Sequence, residues 1–157
     1  YWYVLYVRTR NEGYGYTREV EPNDDADSAQ LIELATYETS AGTSGFYEEG
    51  LIQGILDAEG DEDWVSFSPA VTVDSRLTIL CSGEYYGSLT DLAMDISGPD
   101  GTIDQTITEG ADSTPDVYNV MPITAGTYKV RIYSEDAFYG PGAYYRCTFW
   151  ITDFDVE

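Results

Sequence analysis

The chain has 157 residues, enough for one domain with a real core, and 43% of them are hydrophobic, which argues against intrinsic disorder. Its charge is lopsided, with 7 Lys and Arg against 29 Asp and Glu, a formal net charge of −22. That sign counts against nucleic acid and anionic membranes as partners, since both need a positive surface. It suits multivalent cations, cationic partners or plain solubility.

The first element is Trp2, Tyr3, Val4, Leu5, Tyr6 and Val7, apolar on both alternating faces and rich in β-formers. It is expected to be a strand buried on both sides. Residues 11–16, with Gly13 and Gly15, read as a flexible connector. Residues 1–18 are thus an N-terminal strand extension and connector, and residues 19–157 the domain proper. No apolar run approaches the roughly 20 residues needed to span a bilayer, so membrane insertion is not expected. No signal peptide is present, and the expectation is a processed, secreted protein, with an excised piece of a longer chain as the competing explanation.

Glu19-Val20-Glu21-Pro22-Asn23-Asp24-Asp25 follows. Pro22 fixes its own φ and holds Glu21 extended. With Val20 also extended, Glu19 and Glu21 point the same way, and Asn23 and Asp24 favour a turn. A cup of carboxylate and carbonyl oxygens results, suited to a hard cation such as Ca²⁺ rather than a transition metal. Like charges about 4 Å apart repel by roughly 1 kcal/mol in water and about 4 kcal/mol at a surface-like dielectric. Packing these acids together is costly unless a cation neutralises them; an acidic, solvated linker is the plain alternative.

Residues 29–35 are apolar but too short to assign, and residues 38–50 read as a polar Gly/Ser/Thr-rich loop. Strands are then expected at residues 51–56, 64–68, 76–82, 92–97, 102–108, 117–120, 127–134 and 143–152, the spacing of an all-β sandwich. Turn residues separate them, among them Gly60, the Gly98-Pro99-Asp100-Gly101 run and Gly140-Pro141-Gly142. Alternation puts Leu77, Ile79 and Cys81 on one face, and Tyr145, Cys147, Phe149 and Ile151 on another. Cys81 and Cys147 therefore both face the core, where a disulfide is expected to staple the sandwich in an extracellular protein; two buried free thiols are the alternative.

With no histidine, the usual general base, the Ser-His-Asp and Cys-His arrangements and the common zinc ligand are missing. No phosphate-binding or nucleophile-elbow motif occurs, and catalysis is not expected. Tyr is abundant at 15 residues. Tyr14, Tyr16, Tyr47, Tyr85, Tyr86 and Tyr139 fall in expected loops or in the extension, where Tyr is a favoured interface residue.

A family resemblance runs through these blocks. Glu19-x-Glu21-Pro22-Asn23-Asp24, Gly54-Ile55-Leu56, Gly60-Asp61-Glu62-Asp63-Trp64-Val65-Ser66-Phe67, Asp91-Leu92-Ala93-Met94-Asp95-Ile96, Ala125-Gly126-Thr127-Tyr128 and Tyr144-Tyr145 occur in the order found in bacterial pre-peptidase C-terminal (PPC) domains. The chain resembles that family from about residue 19 to 151, and is similar to the collagen-binding domains of clostridial collagenases. The resemblance implies a secreted antiparallel β-sandwich, jelly-roll-like, here with an extra N-terminal strand. It also implies calcium held by Glu19, Glu21, Asn23 and Asp24 together with Asp61 and Asp63. One departure is Ala93, where many members carry a second Asp.

Three functions compete. The first is a self-assembling extracellular subunit, a homopolymer forming a filament, tube or surface layer. The second is a stand-alone adhesion module for protein or polysaccharide, and the third an accessory domain of a secreted protease. The hydrophobic strand ahead of Glu19 favours the first, with residues 2–7 acting as a donor strand in a neighbouring copy. The alternative is that this strand folds back onto its own sheet.

Overall fold

The computed structural model describes residues 15–38, 46–71, 75–83, 87–108 and 117–153. The expected strand at residues 2–7 lies outside them. The described residues form an all-β sandwich, with strands β1 (Gly15–Arg18), β2 (Gln30–Leu31), β3 (Ala35–Glu38), β4 (Phe46–Ile55), β5 (Glu62–Phe67), β6 (Ser75–Ser82), β7 (Leu92–Ser97), β8 (Ile103–Thr108), β9 (Val117–Pro122), β10 (Tyr128–Ser134) and β11 (Tyr144–Asp153). One sheet runs β1-β4-β11-β6-β9, with β3 also on β4; the other runs β2-β5-β10-β7-β8. Among the described residues there is no helix long and apolar enough to cross a membrane.

Alternation drives the layering. In β5 every second residue is buried (Asp63, Val65, Phe67), and β10 follows the same rule with Tyr128, Val130 and Ile132. From the facing sheet, Leu77, Ile79 and Cys81 of β6 and Tyr145, Cys147, Phe149 and Ile151 of β11 complete the core. Phe67 bridges the sheets, 5.2 Å from Phe149 and stacked on Tyr128 at 5.9 Å. β7 is buried along its whole length, Ala93 included, which pairs with Tyr133 in the middle of its sheet.

Several expectations need correction. Gly15 and Tyr16, read as connector, belong to β1, which pairs in parallel with residues 50–53 of β4. The sandwich is therefore not wholly antiparallel, since β2 also pairs with β5 in parallel. The loop expected at residues 38–50 begins with the end of β3 and closes with the start of β4, which pair from Ala35↔Glu49 to Glu38↔Phe46. The cysteines do form a bridge, but between directly opposed residues of neighbouring strands, with Cα atoms 4.0 Å apart. It fastens β6 to β11 within one sheet rather than one sheet to the other.

Candidate metal centre

The acidic segment leaves β1 and crosses from the β4 edge of one sheet to the β5 edge of the other, held by its backbone. Glu19 N–H donates to the Gln53 carbonyl at 2.8 Å, and the Asn23 carbonyl accepts from Trp64 N–H at 2.9 Å. Gln30 grips the start of the segment from the side, accepting from Val20 N–H and donating to the Arg18 carbonyl, both at 2.8 Å. Val20 points to solvent, 65% exposed, so its neighbours Glu19 and Glu21 turn the other way, as extended backbone requires.

Glu19, Glu21 and Asp63 offer carboxylate oxygens within 4.8 Å of one another, and so do Glu21, Asp24 and Asp61. Glu21 belongs to both groups. All six expected positions are thereby brought to one place, because Asn23 is anchored beside Trp64, the residue after Asp63. Asp25 is not part of the cluster. Its carboxylate accepts from Asp27 N–H and Ser28 N–H, both at 2.8 Å, closing a turn two residues later than the Asn23-Asp24 turn expected from sequence. Those bonds hold the Asp25 carboxyl below its ordinary range.

Burial separates this cluster from an ordinary acidic surface. Asn23 and Asp63 are fully buried and Asp61 is 6% exposed. Both side-chain polar atoms of Asn23, both carboxylate oxygens of Asp63 and one of Asp61 make no hydrogen bond of normal geometry. The Tyr145 hydroxyl and the Asn23 amide lie close enough to Asp63 to favour its charged form, but burial outweighs them and, with Glu19 and Asp61 nearby, pushes Asp63 up to about 8. Burial and the Glu21 charge raise Glu19. Burial raises Asp61 too, with the Glu21 charge adding to it, against the bond from Asp57 N–H. Each unmet buried polar group costs about 1–3 kcal/mol. Water can satisfy an amide, but it does not neutralise five converging carboxylates. The donor set is all oxygen and fits a hard divalent cation.

Tyr145 is the participant that motif reading left out. It is 2% exposed and its hydroxyl makes no hydrogen bond of normal geometry; burial, then the Asp63 charge, raise its pKa. Alternation holds the signal. Asp63 shares the inward face with Val65 and Phe67, and Tyr145 shares one with Cys147 and Phe149, so both side chains point into the same interior. Beside the cluster, a groove of about 600 Å³ is lined by residues including Arg18, Glu19, Gln53, Ile55, Tyr144 and Arg146.

No family model and no curated protein matches the chain. Among solved structures it is similar to the pre-peptidase C-terminal domain of collagenase from Bacillus anthracis, at 13% identity and a TM-score of 0.45, over 86% of this chain and 100% of that one. The chain resembles a PPC domain. It is also similar to PliG, a periplasmic lysozyme inhibitor of g-type lysozyme. The Aeromonas hydrophila form shares 12% identity, with a TM-score of 0.38 over 80% of this chain and 96% of that one. The Salmonella Typhimurium form shares 13%, with 0.35 over 80% and 99%. The chain's own buried oxygens, not these likenesses, make this cluster a candidate for a metal ion.

Proposed function

We propose that the chain is a secreted, non-enzymatic, calcium-binding β-sandwich subunit that assembles with copies of itself through its N-terminal segment. The observation carrying the calcium reading is the pair of fully buried side chains, Asn23 and Asp63, whose polar atoms make no hydrogen bond of normal geometry and lie among Glu19, Glu21, Asp24 and Asp61. Bound Ca²⁺ would neutralise the carboxylates and coordinate those oxygens, tying the segment after β1 to the Asp61–Asp63 loop. Binding to the folded state alone stabilises it by about 2.7 kcal/mol at a hundredfold excess over Kd. Chelation should lower the melting temperature and Ca²⁺, but not Na⁺ at equal ionic strength, should restore it. An unchanged melt together with no calorimetric Ca²⁺ binding overturns the reading. The disulfide is in keeping with an oxidising, extracellular setting.

The assembly reading is supported by how β4 is occupied. β1 takes its edge from Gly50 onward, and β3 takes it from Glu49 back to Phe46. That side of β4 is thus filled from Phe46 to Gln53 by described strands. Residues 1–18 serve in this reading as an extension and residues 19–157 as the sandwich, with β1 docking one onto the other. Trp2, Tyr3, Val4, Leu5, Tyr6 and Val7 would expose large apolar area in water, at about 25 cal/mol per Å², and an unpaired edge in another copy removes that cost. Deleting residues 1–10 should abolish concentration-dependent light scattering in Ca²⁺. Full-length protein that stays monomeric, or truncated protein that polymerises equally, overturns it. The groove lined by Tyr144 and Arg146 favours a second reading, an adhesion module for extracellular protein or polysaccharide. That module would bind its ligand with residues 1–10 removed.

A further inference from the structure

The sandwich has two lateral sides, and among the described residues its own chain covers only one. There, β1 and β3 fill the edge of β4. The edge of β5 is covered by β2, by the Asn23 carbonyl on Trp64 N–H, and by Ile32 N–H on the Ser66 carbonyl. On the opposite side, β9 ends one sheet and β8 ends the other.

These two edges differ. The pairing of β8 with β7 shifts register between Ile96 and Ser97, leaving Asp104 as an extra residue. Such a bulge, like a charge on the strand, blocks further pairing at an edge. β9 pairs with β6 at six successive positions, from Arg76↔Pro122 to Cys81↔Val117, without a break. Its sequence, Val117-Tyr118-Asn119-Val120-Met121-Pro122, has no charge, in a chain where 23% of residues are charged. The one device on it that limits an edge is Pro122, at its very end.

We infer that β9 is the acceptor edge, and that residues 2–7 of a second copy are the strand that occupies it. This rests on the donor-strand reading above and adds the receiving surface. The donor segment has as many residues as β9, and neither sequence carries a charge. β1 and β9 close opposite ends of the same sheet, four strand spacings or roughly 19 Å apart. An arm leaving at one end and received at the other makes a head-to-tail contact, which propagates unless its rotation closes a ring.

Cross-linking between differently labelled copies tests this. One population carries Tyr3→Cys, Val4→Cys or Leu5→Cys, one at a time so that register does not decide the result. The other carries Asn119→Cys on β9 or Gln105→Cys on β8. After mixing in Ca²⁺ and mild oxidation, non-reducing gels should show mixed dimers with Asn119→Cys for at least one arm position, and none with Gln105→Cys or with either population alone. Mixed dimers through Gln105→Cys overturn the β9 assignment, as do polymers that never cross-link at Asn119→Cys. Failure of the donor-strand reading looks different, since then light scattering of the full-length protein shows no polymer at all.

Discussion

The side chain of Tyr145 lies against the backbone of Gly54, its partner on the neighbouring strand, and fills the space a larger residue there would need. A Cβ at Gly54 would sit 2.6 Å from Cε1 of the ring. Tyr145 has nowhere to withdraw, being 2% exposed with its hydroxyl near Asp63.

Gly54→Ala should therefore destabilise the protein by about 1–3 kcal/mol through overpacking and weaken calcium binding in parallel. Denaturant unfolding with and without Ca²⁺ measures both. Equal stability of variant and parent would show that the ring moves aside freely.

Tyr145→Phe separates packing from polarity. It keeps the ring and removes only the hydroxyl, so stability in chelator should change by less than about 1.5 kcal/mol, as volume-conserving swaps do. The rise in Tm on adding Ca²⁺ should shrink, because Asp63 loses a neighbour that favours its charged form.

The pH dependence of the metal-free protein has a definite sign. Asp63 is raised by folding from 3.8 to about 8, so between those values it is protonated when folded and ionised when unfolded. Unfolding then releases a proton, and this contribution to stability is complete below 3.8 and lost as pH rises towards about 8. Thermal melts in chelator should show stability falling over that window, and Asp63→Asn should flatten the fall. If the site takes Ca²⁺ as proposed, the trend should weaken or reverse in its presence, since an ion there would favour the deprotonated carboxylates.

The disulfide closes a separation of 66 residues, worth about 4 kcal/mol in unfolded-chain entropy. The Cys81→Ala, Cys147→Ala double variant should lose stability of that order in denaturant titrations. Intact mass of the unreduced, unfolded parent should show no uptake of alkylating agent.

The central strands could be read from the sequence because their alternation is local. In β5 and β10 the period of two survives without interruption, in β6 and β11 it is broken at Ser82 and Thr148, and the expected limits of all four fall within two residues of those found. The short strands β1, β2 and β3 and the first half of β4 could not be read, because distant residues make them strands, whereas the edge strands β8 and β9 were expected within two residues of where they lie. Glu48 and Glu49 look like loop, yet both are buried in β4. Glu48 accepts from Ala70 N–H at 2.9 Å, and Glu49 from the Trp150 indole at 3.3 Å. Gly50 is in that strand partly because a Cβ there would press within 2.8 Å of Ile32 and Leu34. At the candidate metal centre the residues that converge were named by the acidic segment and the family resemblance. The burial of Asn23, which makes the site costly to leave unmet, came only with its bond to Trp64.

The parallel pairing of β1 with β4 has a mechanical consequence. A pull along the chain ahead of Gly15, directed along the strand, loads the four residue pairings of β1 together rather than peeling them one by one. Just beyond them, Glu19 is fastened to the Gln53 carbonyl and the acidic segment crosses to Trp64. With calcium bound as proposed, tension applied ahead of Gly15 would meet a shear clamp first and a calcium-dependent stop behind it, so the force the fold withstands would rise with the calcium content of its surroundings.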